Sequence, residues 1–269
     1  MSLRSLCSVT LACGALLVGL RAHAQEPAPT RFEGALGVIV NNTSTYAGAD
    51  ERRTKLLPGF YLRYGRLSVT NASGFVTRSN VDVERGLGLD LAHSEALRVN
   101  VALRFDGGRS ESDSAGLVGL GGIRSTVRAR AAATWRPVAQ WRLGAAWSHD
   151  LLGHGGGGFG ELSVAREQRA SPTTTWTMGA AISMADSRYM KSYFGVTPEQ
   201  AVRSGYAPFN AQAGLRDSSL FASVRSEVAP RWVALGGASF THLLGSAAAS
   251  PHTRQANSVS VNAGLAWLF

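Results

Sequence analysis

Cysteine is nearly absent from this chain: Cys7 and Cys13 are its only two, and both lie in the first two dozen residues. The remainder therefore has no disulfide framework and no thiolate metal site. Long hydrophobic runs are missing too. No stretch after Gln25 holds ~18 consecutive apolar residues, which excludes a membrane-spanning helix. Acidic residues are few: 18 Asp and Glu stand against 27 Lys and Arg, and setting aside Arg4 and Arg21 still leaves a basic excess. An aromatic–basic module and a basic tail are also lacking, so the excess does not point to nucleic acid. In an exported chain it suits anionic lipopolysaccharide, murein or anionic solutes.

What is present starts with an export signal. Arg4, the apolar run from Leu6 to Leu20 and Ala22-His23-Ala24 before Gln25 predict a signal peptide over 1–24. Its apolar run is shorter than the ~20 residues of a spanning helix. Lipidation at Cys13 would cut that run in half. Residues 25–31, with Pro27 and Pro29, read as a periplasmic linker, and 32–269 as one barrel domain.

The C-terminal stretch shows the pattern most clearly. Val259, Val261, Ala263, Leu265, Trp267 and Phe269 share one parity, and Ser260, Asn262, Gly264 and Ala266 the other. Alternate side chains of a strand point to opposite faces, so this segment has one apolar and one small, polar face. Trp267 and Phe269 would sit where hydrocarbon meets headgroups. A closing barrel strand has this form, and it is the segment by which the barrel-assembly machinery would engage the chain.

The same alternation recurs along the chain and predicts an up-and-down antiparallel transmembrane barrel of about twelve strands. They fall near 32–40, 55–64, 66–76, 83–91, 97–106, 123–136, 141–148, 159–168, 174–184, 218–228, 231–241 and 259–269. Short connections follow the even-numbered strands and longer ones mostly the odd-numbered, as in outer-membrane barrels. Strands at regular spacing also fit a soluble sandwich, but a sandwich does not explain one apolar face opposite an arginine-rich one. The run His154 to Gly158 reads as a flexible loop.

The polar parity carries Arg98, Arg104, Arg124, Arg128, Arg130, Arg136 and Arg142. Arginine facing lipid at midplane costs ~2–4 kcal/mol, so these are expected to face the lumen. Two readings follow. They pair with inward Glu84, Asp90, Asp106, Glu161 and Glu227 and fill the interior, or they form a cationic wall that favours anions.

The loops carry a family resemblance. Ala185-Asp186-Ser187-Arg188-Tyr189-Met190, Tyr193-Phe194-Gly195-Val196 and Ala213-Gly214-Leu215-Arg216-Asp217 are similar to the family of the MltA-interacting protein and outer-membrane protein V (MipA/OmpV). Tyr46-Ala47-Gly48-Ala49-Asp50 and Ser250-Pro251 support it, with Ala47 where the family usually has proline. The match spans essentially the whole mature chain. The resemblance implies an outer-membrane barrel. It also implies either a scaffold joining a lytic transglycosylase to a murein synthase, or an osmotically responsive protein with pore-like or adhesive behaviour. The family-motif loop puts Arg188, Tyr189, Tyr193, Phe194, Gly195, Arg216 and Asp217 forward as site residues.

Other constellations are weaker. His93, His149, His154, His242 and His252 follow the signal. His149-Asp150 with His154 contains metal-ligating types, but residues five apart on a strand point to opposite faces. His242 with Asp186, or His149 with a loop serine, lacks a nucleophile motif such as Gly-x-Ser-x-Gly. The reading is a non-enzyme without cofactor or metal. Thr197-Pro198-Glu199-Gln200-Ala201-Val202 predicts a short helix, with a threonine cap, proline in the first turn and an early acid. Tyr189, Tyr193, Phe194, Tyr206 and Phe209 around it either pack the loop onto the barrel mouth or form an aromatic contact surface.

Overall fold

The computed structural model describes residues 32–71 and 85–269. The predicted signal peptide, the linker, the end of the third strand at Val76, and Val83 and Glu84 lie outside these.

Twelve strands form a closed, antiparallel barrel in which each pairs with its sequence neighbours and the first with the last. They are β1 (Phe32–Ser44), β2 (Arg52–Tyr64), β3 (Leu67–Thr70), β4 (Gly86–His93), β5 (Leu97–Asp106), β6 (Thr126–Val138), β7 (Trp141–Asp150), β8 (Gly158–Arg169), β9 (Thr174–Ala185), β10 (Gly214–Ala229), β11 (Trp232–Leu243) and β12 (Asn257–Leu268). The register between β1 and β12 runs from Ala35↔Leu268 to Asn42↔Val261. Every strand so has a neighbour on each side, the closed pairing by which a sheet can span hydrocarbon. At the seam, the Phe269 ring lies over Gly34, where any Cβ would collide with it. Phe269 also contacts Phe32 and Trp267, at ring distances of 6.0 and 5.2 Å.

Alternation holds along the wall. Leu36, Val38, Leu56, Leu87, Leu103, Phe105, Leu162, Leu220 and Val261 are exposed on the exterior. All six tryptophans are exposed. Five of them (Trp135, Trp141, Trp176, Trp232 and Trp267) lie beside the short turns and form an aromatic rim at that end. Arg166 has the outward parity, but it pairs with Trp141 at this same rim, where lipid-facing arginine costs little.

The ends differ. Connections after even-numbered strands are tight: 65–66, 94–96, 139–140, 170–173 and 230–231. The opposite end carries the long loops 107–125, 186–213 and 244–256. These hold α1 (Ser187–Phe194), α2 (Pro198–Ser204), α3 (Gly245–Ala248) and two 3₁₀ turns at 111–113 and 115–117. The loops have their own apolar clusters. One joins Met190, Phe194, Ala211, Leu243 and Ala247, and another joins Leu117, Leu120 and Val196.

The inner wall is apolar in part. Ala35, Tyr61, Val233, Ala266 and Leu268 form an apolar cluster joined by Ile39 and Leu235. It lines the lumen beneath the closing seam.

Candidate functional site in the barrel lumen

Inward parity brings Arg98, Arg104, Arg128, Arg130, Arg136 and Arg142 to one side of the lumen, on β5, β6 and β7. Arg124 departs from the expectation. It lies before β6, in the loop, and is exposed. Strand pairing reduces there to a single bridge, Arg109↔Ile123, so parity does not carry through to residue 124.

Several of these arginines are paired. Asp90 receives Arg98 and Arg63, each at 2.8 Å. Asp106 receives Arg128 at 2.5 Å, and Arg225 meets Glu227 at 3.2 Å. Arg142 reaches Glu167 at 3.7 Å. Glu161 makes no ion pair among the described residues, and Glu84 lies outside them.

Arg216 reaches the lumen by a different route. A β-bulge between Leu215 and Asp217 breaks the β9–β10 register. Leu215 faces out and Asp217 is buried inside. The extra residue, Arg216, also lines the lumen, because a bulge re-aims the side chain it inserts. Its Nε pairs with Asp217 at 2.5 Å and its Nη1 donates to the Tyr189 hydroxyl at 3.1 Å.

The mouth at the long-loop end is filled by α1. Asp186 caps this helix by accepting the Tyr189 N–H at 2.7 Å, and it also accepts the Gly158 N–H at 2.6 Å. Tyr189 and Tyr193, one turn apart, stack at 4.4 Å and point toward the lumen. Arg128, 1% exposed, sits beneath them. It donates to the carbonyls of Gly156 and Gly157 at 2.9 and 3.0 Å and meets the Tyr193 hydroxyl at 3.5 Å. Arg128 and Arg216 both lie over the rings of Phe159 and Tyr189, at 5.1–5.8 Å. Burial, then Asp106, push the Tyr193 hydroxyl pKa up, so it stays protonated.

The glycine run is therefore not the flexible loop its composition suggests. Asp150 holds it by accepting the N–H groups of Leu152, Gly153 and Gly156, and Ser192 donates to the Gly155 carbonyl at 2.5 Å. Gly157 has φ +53 and touches the α1 backbone where any Cβ would collide. His149 and Asp150 point to opposite faces, and His154 bonds the Ser125 carbonyl, so these three do not converge. Neither do His242, bonded to Asn257, and Asp186.

Behind α1 lies a residue the sequence left unassigned. His252 is 0% exposed. Its Nε2 donates to the Tyr193 carbonyl at 3.0 Å, and its Nδ1 meets Ser250 Oγ at 3.0 Å. Rings of Tyr46, Phe194 and Tyr206 surround it. Arg109 donates to the same Tyr193 carbonyl at 3.0 Å. Burial first, then Arg109, push the His252 pKa down to about 4. The aromatic residues around α2 thus pack the loops onto the mouth, while Arg188 stays exposed.

Beneath this plug is a cavity of about 720 Å³. Arg104, Arg130, Arg142 and Arg216 line it, against two carboxylates, Asp106 and Glu161. Phe221, Ala132, Gly144 and Ser163 supply apolar and small surface.

Solved structures with a similar fold include a NanC porin, at 8% identity, covering 86% of this chain and 98% of that chain with TM-score 0.45. An anion-selective porin from Comamonas acidovorans matches at 7% identity, 89% and 99% coverage and TM-score 0.40. No curated protein matches the sequence. The model of the MltA-interacting protein MipA matches residues 36–269. The chain, whose resembling loop segments meet at the plug and mouth of a closed twelve-stranded barrel, belongs to the MipA family.

Proposed function

We propose that this protein is an outer-membrane conduit for small charged solutes, with a lumen that favours anions and an outer mouth closed by α1. One observation carries this reading: on the wall of the cavity beneath α1, arginines outnumber carboxylates. Cations fixed in a narrow, low-dielectric passage raise the local concentration of anions. The basic excess of the sequence lies partly on this inner wall. Signal cleavage, insertion by the barrel-assembly machinery and contact with lipopolysaccharide belong to the same reading.

Planar-bilayer recording tests it. The barrel should give small conductance steps, and a salt gradient should give a reversal potential of anion-selective sign. Arg104→Ser with Arg130→Ser should move that potential toward zero, whereas Arg124→Ser should leave it in place. Absence of steps across salt and voltage would refute the conduit.

The family description favours a second reading, a scaffold for murein enzymes. With the long loops outward, a periplasmic partner would meet the short turns and the linker 25–31. Co-purification with a lytic transglycosylase and a murein synthase, lost when 94–96 or 170–173 is altered, is the expected result. Capture unaffected by every turn and by the linker would exclude it.

A further inference from the structure

Two charged side chains lining the cavity have no ion-pair partner among the described residues. Arg104 enters from β5 and Glu161 from β8. The β5–β6 register sets Arg104 directly opposite Arg128, and like charges so placed destabilise a sheet unless a carboxylate intervenes. Asp106 is the nearby carboxylate, but Arg128 holds it at 2.5 Å. Arg104 makes no hydrogen bond or ion pair among the described residues, and its buried Nε has no partner. Among the described residues, Glu161 likewise has no ion pair.

Three strand spacings separate the two, and the register sets Glu161 level with Asn100, four residues from Arg104, so their strand positions lie about 14 Å apart across the strands and about 13 Å apart along them, roughly 19 Å over the wall. That is too far for direct pairing and matches the span of a small molecule held by two long side chains. Between them the wall carries Arg130 and, beside it, the small residues Ala132, Gly144 and Ala146. Phe221 also lines the cavity, its ring seated on Gly179, where any Cβ would strike the Phe221 ring. The volume falls within the range of small-molecule pockets.

We infer that this cavity binds a small zwitterion with an apolar body, of the amino-acid or dipeptide class. The carboxylate meets Arg104, the ammonium meets Glu161, and the side chain lies against Phe221. The inference rests on reading the lumen as open to solutes, but binding is measured without conduction, so the two fail separately.

The test titrates phenylalanine, phenylacetate and phenethylamine into the detergent-solubilised mature barrel by calorimetry. Phenylalanine should bind at least about tenfold tighter than either singly charged analogue. Arg104→Gln should weaken phenylalanine and phenylacetate alike, by about tenfold, as expected for loss of a hydrogen bond to a charged group. Glu161→Gln should weaken phenylalanine and tighten phenylacetate, because it removes an attraction from one and a repulsion from the other. The inference is overturned if none of the three binds, if phenylacetate equals phenylalanine, or if Glu161→Gln shifts both in the same direction. The analogue comparison on the unaltered barrel decides it even if a variant misfolds. Binding without bilayer conductance would refute the conduit alone.

Discussion

Arg128 shows what a buried guanidinium requires. Every nitrogen has a partner: Asp106, two glycine carbonyls and a tyrosine hydroxyl. Arg128→Met strands Asp106 and two carbonyls, and breaking a buried pair costs ~3–5 kcal/mol. The folded band in detergent should melt at a clearly lower temperature. Arg124→Met, at an exposed loop position, should stay within ~0.5 kcal/mol of the parent. His252 behaves differently. In the folded chain it titrates at about 4, below its ordinary 6.5. The unfolded chain binds the proton first, so stability is constant above about 6.5 and falls as pH drops toward about 4. The full difference is of order a few kcal/mol. The long loops should resist protease at pH 7.5 and be cut at pH 4.5. With His252→Gln, cleavage should no longer depend on pH. Equal resistance of the parent at both values would contradict this.

The elements at the mouth separate what the sequence shows from what it conceals. Both ends of α2 are local: Thr197 and Gln200 form a capping box, Pro198 opens the helix, and Gly205 ends it with φ 76. Those signals are readable without neighbours. For α1 the cap Asp186 and the spacing of Tyr189, Met190, Tyr193 and Phe194 are helical, but the aromatics alone read equally as a contact surface. The inward turn of Arg216 depends on a register break against β9, which parity within β10 does not reveal. The glycine run looks flexible because its restraints come from Arg128, Asp150 and Ser192, some of them about thirty residues away. The two helices should respond differently to one change. Asp186→Ala removes a cap worth ~1 kcal/mol together with the Gly158 bond. Hydrogen exchange should rise across 187–194 and stay unchanged across 198–204. Equal change in both would show that the plug opens as one unit.

At the scale of the whole molecule the barrel was legible because alternation repeats in strand after strand, and a one-residue slip in any of them would turn its apolar face inward. The inner apolar cluster was not, since Ile39, Leu235 and Leu268 sit among lumen-facing positions and gain meaning only when β1, β2, β11 and β12 close on one another. Of the candidate site, the arginine wall was visible, apart from Arg124. The plug above it was not, because three loops far apart in sequence build it together.

The tryptophans have one more consequence. All six face outward and none lines the cavity. The protein's intrinsic fluorescence is therefore a gauge of its surroundings and blind to its contents. Bromine-labelled acyl chains should quench it strongly once the chain has inserted and closed, while iodide or any ligand added to the water inside should leave it nearly unchanged. Strong quenching by iodide in sealed, fully folded proteoliposomes would mean that these indoles do not face the bilayer.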